Sequence, residues 1–217
     1  MNETEEKGLE YLKANKNTFL KQYLTGYEPQ DVKTAIFTAG ASGAGKTEYA
    51  ISRKGKEAFL LHMDIDSVRD FFEPVGYNGT NASDYQKVAS KGVNWLFDRA
   101  TKKSYSFILD SNFAEVTIAQ NNIQRLLDKE YVIEINYIFR DLQKCYKFAQ
   151  KREAVTKRKV PMEIVQRSFK NSFDTTLLIK SLFKDAIILN LFDRENDIIH
   201  EDIDENQFFI LCKGGVE

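Results

Sequence analysis

Residues 40 to 47 read Gly40-Ala41-Ser42-Gly43-Ala44-Gly45-Lys46-Thr47, and no other stretch restricts the fold of this chain as much. The apolar run Ala35-Ile36-Phe37-Thr38-Ala39 stands directly before it and a helix-compatible stretch, 47–53, directly after. A buried strand, a glycine-rich turn and a helix N-terminus, in that order, aim successive backbone N–H groups at one point where an anion can sit. Within such a loop Lys46 is placed to reach β- and γ-phosphates and Thr47 to reach a magnesium ion. All eight residues, Gly40 to Thr47, are therefore expected to hold a nucleoside triphosphate.

The rest of the chain has to supply a sheet and helices that present this loop, and its patterning does so. From Asp31 onward short apolar runs alternate with amphipathic ones. Strands are expected at 34–39, 58–63, 106–110, 131–139 and 186–190, and helices at 46–53, 67–72, 83–103, 117–129, 142–153 and 162–182. Tyr85, Val88, Ala89, Val93, Leu96, Phe97 and Ala100 recur at spacings of three and four, which gives the 83–103 helix one buried stripe. Ser83-x-x-Gln86 and Thr117-x-x-Gln120 fit the capping box. The alternation predicts an α/β chain with the three-layer P-loop NTPase fold, a mainly parallel sheet flanked by helices. An N-terminal helix over 4–24, with Leu9, Leu12, Phe19 and Leu20 on its apolar side, should end before Tyr27-Glu28-Pro29. Two places fit less simply. Glu134 and Asn136 share one face of the 131–139 strand, which suggests that this face is partly open. Phe208-Phe209-Ile210-Leu211-Cys212 reads as a last strand.

At 217 residues and 42% hydrophobic, the chain is expected to form a single domain over 1–217, with a helical extension at 1–30 and a basic, lid-like segment at 150–163. A net charge of −1 argues against a dedicated nucleic-acid binder, although residues 140–170 carry ten Lys/Arg against three Asp/Glu. Cys145 and Cys212 lie far apart without metal-ligand spacing, so neither a disulfide framework nor a zinc site is indicated. No apolar run approaches the roughly 20 residues of a membrane span. The charged first thirty residues lack a signal-peptide core, and a cytoplasmic setting is the expectation.

In parallel sheets ligands bind beyond the carboxyl ends of the strands, which turns the strand assignment into a set of candidate site residues. Beyond the second strand come Asp64, Asp66 and Arg69; beyond the third come Asp110, Ser111 and Asn112; beyond the fourth, after a helix, come Arg152 and Arg158. Phosphoryl transfer needs a phosphate cradle, a metal, a group to orient and deprotonate the acceptor, and positive charge on the transferring group. Lys46 belongs to the cradle, Thr47 and Asp110 to the metal, and Asp66 to the base, with Asp64 able to exchange roles with it. Arg69 would bind an acceptor phosphate or align Asp66. Ser111 and Asn112 lie where an acceptor would be held, and Arg152 and Arg158 would close over the phosphates.

Residues 10–185 resemble the zeta-toxin type of P-loop kinase, the toxin halves of bacterial toxin–antitoxin pairs and their relatives. The likeness rests on a helix before the phosphate loop, the loop Gly40–Thr47, the block Asp64-Ile65-Asp66-Ser67-Val68-Arg69, and Arg152-Glu153 followed by Arg158-Lys159-Val160-Pro161 leading into a helix. The resemblance implies ATP or GTP as donor and Mg2+ as cofactor. For the toxins it implies a UDP-N-acetylated amino sugar as acceptor and an antitoxin as partner. It assigns Lys46 and Thr47 to phosphate and metal, Asp66 to the base, and Arg152 and Arg158 to the transferring phosphate. One departure keeps a second acceptor, a 5′-hydroxyl of a polynucleotide or nucleoside, open: Asp110-Ser111-Asn112 is closer to the Asp-x-Asn of 5′-polynucleotide kinases and related small-molecule kinases, and Asp66-x-x-Arg69 also fits those families. Outside the kinases, a P-loop NTPase or a nucleotide-binding module is the alternative. The joint presence of Asp66, Asp110 and two lid arginines counts against it.

Overall fold

A computed structural model of the chain describes residues 3–156 and 160–212, without the side chains of 154–156. Two helices, α1 (Glu3–Ala14) and α2 (Lys16–Leu24), precede the first strand. The expected single N-terminal helix is broken at Asn15, whose Nδ2 donates to Tyr11 O at 2.9 Å and so closes α1 with a side-chain bond. The core then alternates: β1 (Thr34–Ala39), α3 (Lys46–Lys56), β2 (Leu61–Asp64), α4 (Ile65–Asp70), α5 (Gln86–Lys102), β3 (Phe107–Asp110), α6 (Val116–Leu127), β4 (Val132–Phe139), α7 (Leu142–Thr156), α8 (Met162–Phe183), β5 (Ile188–Asp193), β6 (Ile198–His200) and α9 (Glu205–Cys212).

The sheet runs β2-β3-β1-β4-β5-β6. The first five strands are parallel, and β6 pairs antiparallel to β5, with Phe192 opposite Ile199. Because successive strand residues point to opposite faces, β1 feeds two cores. Ala35, Phe37 and Ala39 join the one built with α1, α2, α5, α6, the second half of α8 and α9. Ile36 joins the other, with α3, α7 and the first half of α8. This is the three-layer arrangement that the alternation of runs predicts.

Several local expectations give way to tertiary contacts. The polar pair on β4 does not mark an open face: Asn136 is fully buried, and its Oδ1 accepts from Asn190 Nδ2 at 2.9 Å on the neighbouring strand. Glu134 lies 3.6 Å from Arg53 of α3. Pairing, rather than solvent, meets Asn136 Oδ1 and the Glu134 carboxylate, while Asn136 Nδ2 is buried with no hydrogen-bond partner among the described residues. Neither hydroxyl capping box forms, since α5 starts at Gln86 and α6 at Val116, both without a side-chain cap. Gln86 turns instead toward Arg69. The apolar tail is helix α9, not a strand. Asp204 accepts from the backbone N–H groups of Asn206 and Gln207 at 2.9 and 2.8 Å, while Gln207 Oε1 takes Asp204 N at 3.0 Å. This is a capping box with aspartate in the hydroxyl's place. It turns Phe208 and Cys212, one helical turn apart, into the core.

Candidate active site

The loop after β1 owes its path to two glycines. Gly40 has φ +129, and a Cβ there would lie 2.5 Å from Ile138 O. Gly43 has φ +86, and a Cβ would lie 2.1 Å from Cys145 O of α7. No side chain fits at either place, so the backbone can press against β4 and α7 only as glycine. The curl is held from outside by α8. Ser172 Oγ accepts from Gly40 N at 2.6 Å, and Ser168 Oγ accepts from Ser42 N at 3.0 Å. These two serines, one helical turn apart on a face otherwise carrying Val165, Phe169 and Phe173, were not among the expected site residues. The signal was available, as polar residues at helical spacing inside an apolar stripe.

Lys46 opens α3, and its buried Nζ donates to Ala41 O at 2.6 Å, across the mouth of the loop. Burial lowers the Lys46 ammonium from 10.5 to about 8, with the Asp110 charge pulling the other way. Asp110 ends β3 beside it. Thr38 Oγ1 donates to Asp110 Oδ1 at 2.9 Å, and His62 Nε2 stands 3.5 Å from Oδ2. Burial pushes the Asp110 carboxyl up, but the His62 contact, the Lys46 charge and the hydroxyls of Thr38 and Thr47 outweigh it, and its pKa lies below the usual carboxylate value. Oδ2 is buried without a well-formed hydrogen bond. A carboxylate oxygen and the Thr47 hydroxyl at one helix N-terminus fit the two protein ligands that a phosphate-bound magnesium ion takes in such loops. His62 lies on β2 two residues before Asp64, and its ring stands against Asp110 on the neighbouring strand.

The carboxylates after β2 divide their work. Asp64 is the N-cap of α4: Oδ1 accepts from Asp66 N at 3.2 Å, and Oδ2 accepts from Ser67 N at 2.9 Å and Ser67 Oγ at 2.8 Å. Both of its oxygens hold the turn, and Asp64 and Asp66 both line the cavity beside the glycine loop. Asp66 is held instead by two guanidinium groups. Arg69 Nη1 donates to Asp66 Oδ1, and Arg152 Nη2 of α7 donates to Oδ2 at 2.6 Å. Arg69 is 1% exposed, which favours alignment of Asp66 over capture of an acceptor phosphate. Arg158 lies outside the described residues.

Lys46, Thr47, Asp66, Asp110 and Arg152 face one cavity of about 380 Å³. A second cavity of about 890 Å³ adjoins it, walled by the 79–86 segment and the first turns of α6 and α8. The two share Gln86, Leu109, Ser111, Asn112, Ile118, Asn122 and Val160. Ser111 and Asn112, expected at the acceptor, thus stand at the junction. The glycine loop, the Asp66 and Asp110 carboxylates and Arg152 are brought together at the carboxyl edge of the sheet, as the strand-end rule predicts.

A phosphate loop joined to this sheet order, with a carboxylate and an arginine across the cavity, defines the P-loop kinase class. The sequence profile of the zeta toxin family matches residues 18–204, and the chain belongs to that family. Among solved structures, the chain is similar to one from the PezAT chromosomal toxin–antitoxin system of Streptococcus pneumoniae, with TM-score 0.70, 18% identity, and 91% of this chain and 81% of that chain covered. It is similar to a chain of the AvrRxo1-ORF1:ORF2 complex with ATP, with TM-score 0.68, 15% identity, and coverage of 99% and 71%. A chain of the Pnkp1/Rnl/Hen1 RNA repair complex is more distant, with TM-score 0.55, 14% identity, and coverage of 71% and 47%. At these identities the likenesses bear on the fold. A comparison with curated proteins gave no match. Among the described residues no helix is long and apolar enough to cross a membrane.

Proposed function

We propose that this protein transfers the γ-phosphate of ATP to a hydroxyl of a nucleotide-linked sugar, a UDP-N-acetylated amino sugar, with Mg2+ as cofactor. The observation that carries the reading is Asp66: a carboxylate facing the same cavity as Lys46 and held in place by two guanidinium groups. The loop amides and the α3 N-terminus bind the polyphosphate, and Lys46 leaves Ala41 O to pair with it. Thr47 and Asp110 would hold magnesium, which neutralises charge on the β- and γ-phosphates when bound.

An acceptor in the larger cavity would turn one hydroxyl toward Asp66, whose carboxylate takes the proton as the oxygen attacks the γ-phosphorus and the bond to the β,γ-bridging oxygen breaks, releasing ADP. The base is restrained before the donor arrives, because Arg152 pairs with it. Arg152 has a half-exposed side chain on α7 and is the partner able to turn toward an incoming phosphate. Its departure would take one guanidinium away from Asp66 while the buried Arg69 stays in place. The neutral junction residues Ser111, Asn112 and Asn122 suit the hydroxyl and amide groups of a sugar.

The test is γ-labelled ATP with UDP-N-acetylglucosamine in one reaction and a 5′-hydroxyl oligonucleotide in another. Label on the sugar nucleotide is the expected result. Label on the oligonucleotide alone would assign the acceptor to the polynucleotide class instead. Oligonucleotide binding would also weaken steeply with salt, which a single sugar nucleotide would not.

A further inference from the structure

Gln86 is the first residue of α5 and belongs to the walls of both cavities. Its Oε1 accepts from Arg69 Nη2, and Arg69 Nη1 donates to Asp66 Oδ1. A guanidinium that is 1% exposed has lost its water and needs acceptors from the protein. Asp66 supplies a charged one from the same helix, and Gln86 supplies a neutral one from the next.

The contact also determines which way round the amide lies. A guanidinium has donors only, so a carboxamide that meets it must present oxygen. Nε2 and its two N–H groups are then turned away from Arg69. Gln86 is exposed at the cavity junction, so a ligand reaching across meets a donor there, one that cannot invert without breaking the Arg69 contact. A serine hydroxyl at the same place could adapt to either partner; this amide cannot.

We propose that Gln86 is a positioning and specificity residue. Its oxygen holds Arg69, and through it Asp66, while its amide selects an acceptor that offers an oxygen (carbonyl, hydroxyl or phosphate) beside the hydroxyl to be phosphorylated. The inference deepens the kinase reading and rests on it. It also explains why the Ser83-x-x-Gln86 box does not close: the glutamine side chain is drawn to a buried charge rather than to the backbone N–H of residue 83.

Two substitutions separate the two halves of the claim. Gln86→Glu keeps an oxygen for Arg69 and removes the donor; Gln86→Leu removes both. With ATP, Mg2+ and UDP-N-acetylglucosamine, Gln86→Glu should raise the acceptor KM about tenfold with kcat within about threefold, whereas Gln86→Leu should also lower kcat about tenfold. The second readout is the slow release of phosphate from ATP without acceptor, which depends on Asp66 and not on the sugar. It should fall in Gln86→Leu and be restored in Gln86→Glu. ATP affinity, measured in parallel, should stay close to that of the wild type, and Tm should hold in Gln86→Glu but drop by a few degrees in Gln86→Leu, which leaves the buried guanidinium one acceptor short. Equal kcat and KM in both variants and the wild type would overturn the proposal, as would parallel losses that track Tm. A wild type that hydrolyses ATP but phosphorylates no sugar nucleotide would reject the acceptor reading, and the hydrolysis comparison would still decide the role of Gln86. A wild type inactive in both assays would reject the kinase reading and this inference with it.

Discussion

Among the described residues Asp66 meets the guanidinium groups of Arg69 and Arg152, and as the proposed base it would also take the proton of the acceptor, so substitution there should separate binding from chemistry. Asp66→Asn preserves shape and should lower transfer by about a thousandfold while ATP affinity changes little, as isothermal titration would show. Lys46→Ala should lower transfer by about a hundredfold or more and weaken ATP binding as well, because the loop loses its only buried ammonium among the described residues. Lys46 also gives a pH signature. Its folded pKa of about 8 lies below the ordinary 10.5, so the ligand-free fold should gain stability as pH rises from about 8 toward 10.5. Polyphosphate restores the charge, so binding takes up protons. Titration in buffers of different ionisation enthalpy should register about half a proton per ATP at pH 8, fading by about pH 7. Absence of uptake at pH 8 would show that Lys46 does not meet the phosphates. At this scale much was legible in the sequence: Lys46, Thr47, Asp66, Asp110 and Arg152 were all identified from motif and strand-end position, and one cavity gathers them. The partners were not legible. Nothing in the spacing of Asp64 and Asp66 says which of them caps α4, because each could accept N–H groups from the next turn.

Secondary-structure elements follow the same division. Strands β1, β3 and β4 and helices α3, α5 and α8 lie close to their expected places, because burial on both sides or along one stripe leaves a period in the sequence. The apolar tail had no such period over five residues, and its fate turned on the cap before it. Asp204→Ala should destabilise the protein by about 1 kcal/mol in denaturant unfolding, with transfer activity intact when folded. A loss below about 0.3 kcal/mol would mean that α9 is held by Phe208 and Cys212 packing alone. The glycine loop makes a sharper demand. Gly43→Ala places a methyl against Cys145 O and should cost about 2 kcal/mol or more, together with ATP affinity, since the loop must move off α7 to admit it.

At the scale of the whole molecule, the strand order brings β3 between β2 and β1, and this places Asp110 between the Asp66 turn and the phosphate loop. Membership of the zeta toxin family predicts a physiological effect of the whole protein. Expression of the wild type in a bacterial host should slow growth relative to Lys46→Ala at equal protein level, and co-expression of an antitoxin should relieve it. Equal growth of the two strains would count against toxicity while leaving the kinase chemistry to the labelling assay. By itself the sequence determined the phosphate loop, the α/β alternation and the chemical groups available at each strand end, because these follow from backbone sterics and burial periods that act within a few residues. Only the tertiary structure decided that Ser168 and Ser172 brace the loop, that Asn136 is paired rather than exposed, and that Gln86, Arg69, Asp66 and Arg152 form one chain of contacts. Those depend on where α4, α5, α7 and α8 come to rest against a common sheet, and a buried charge takes whichever partner that packing brings within reach.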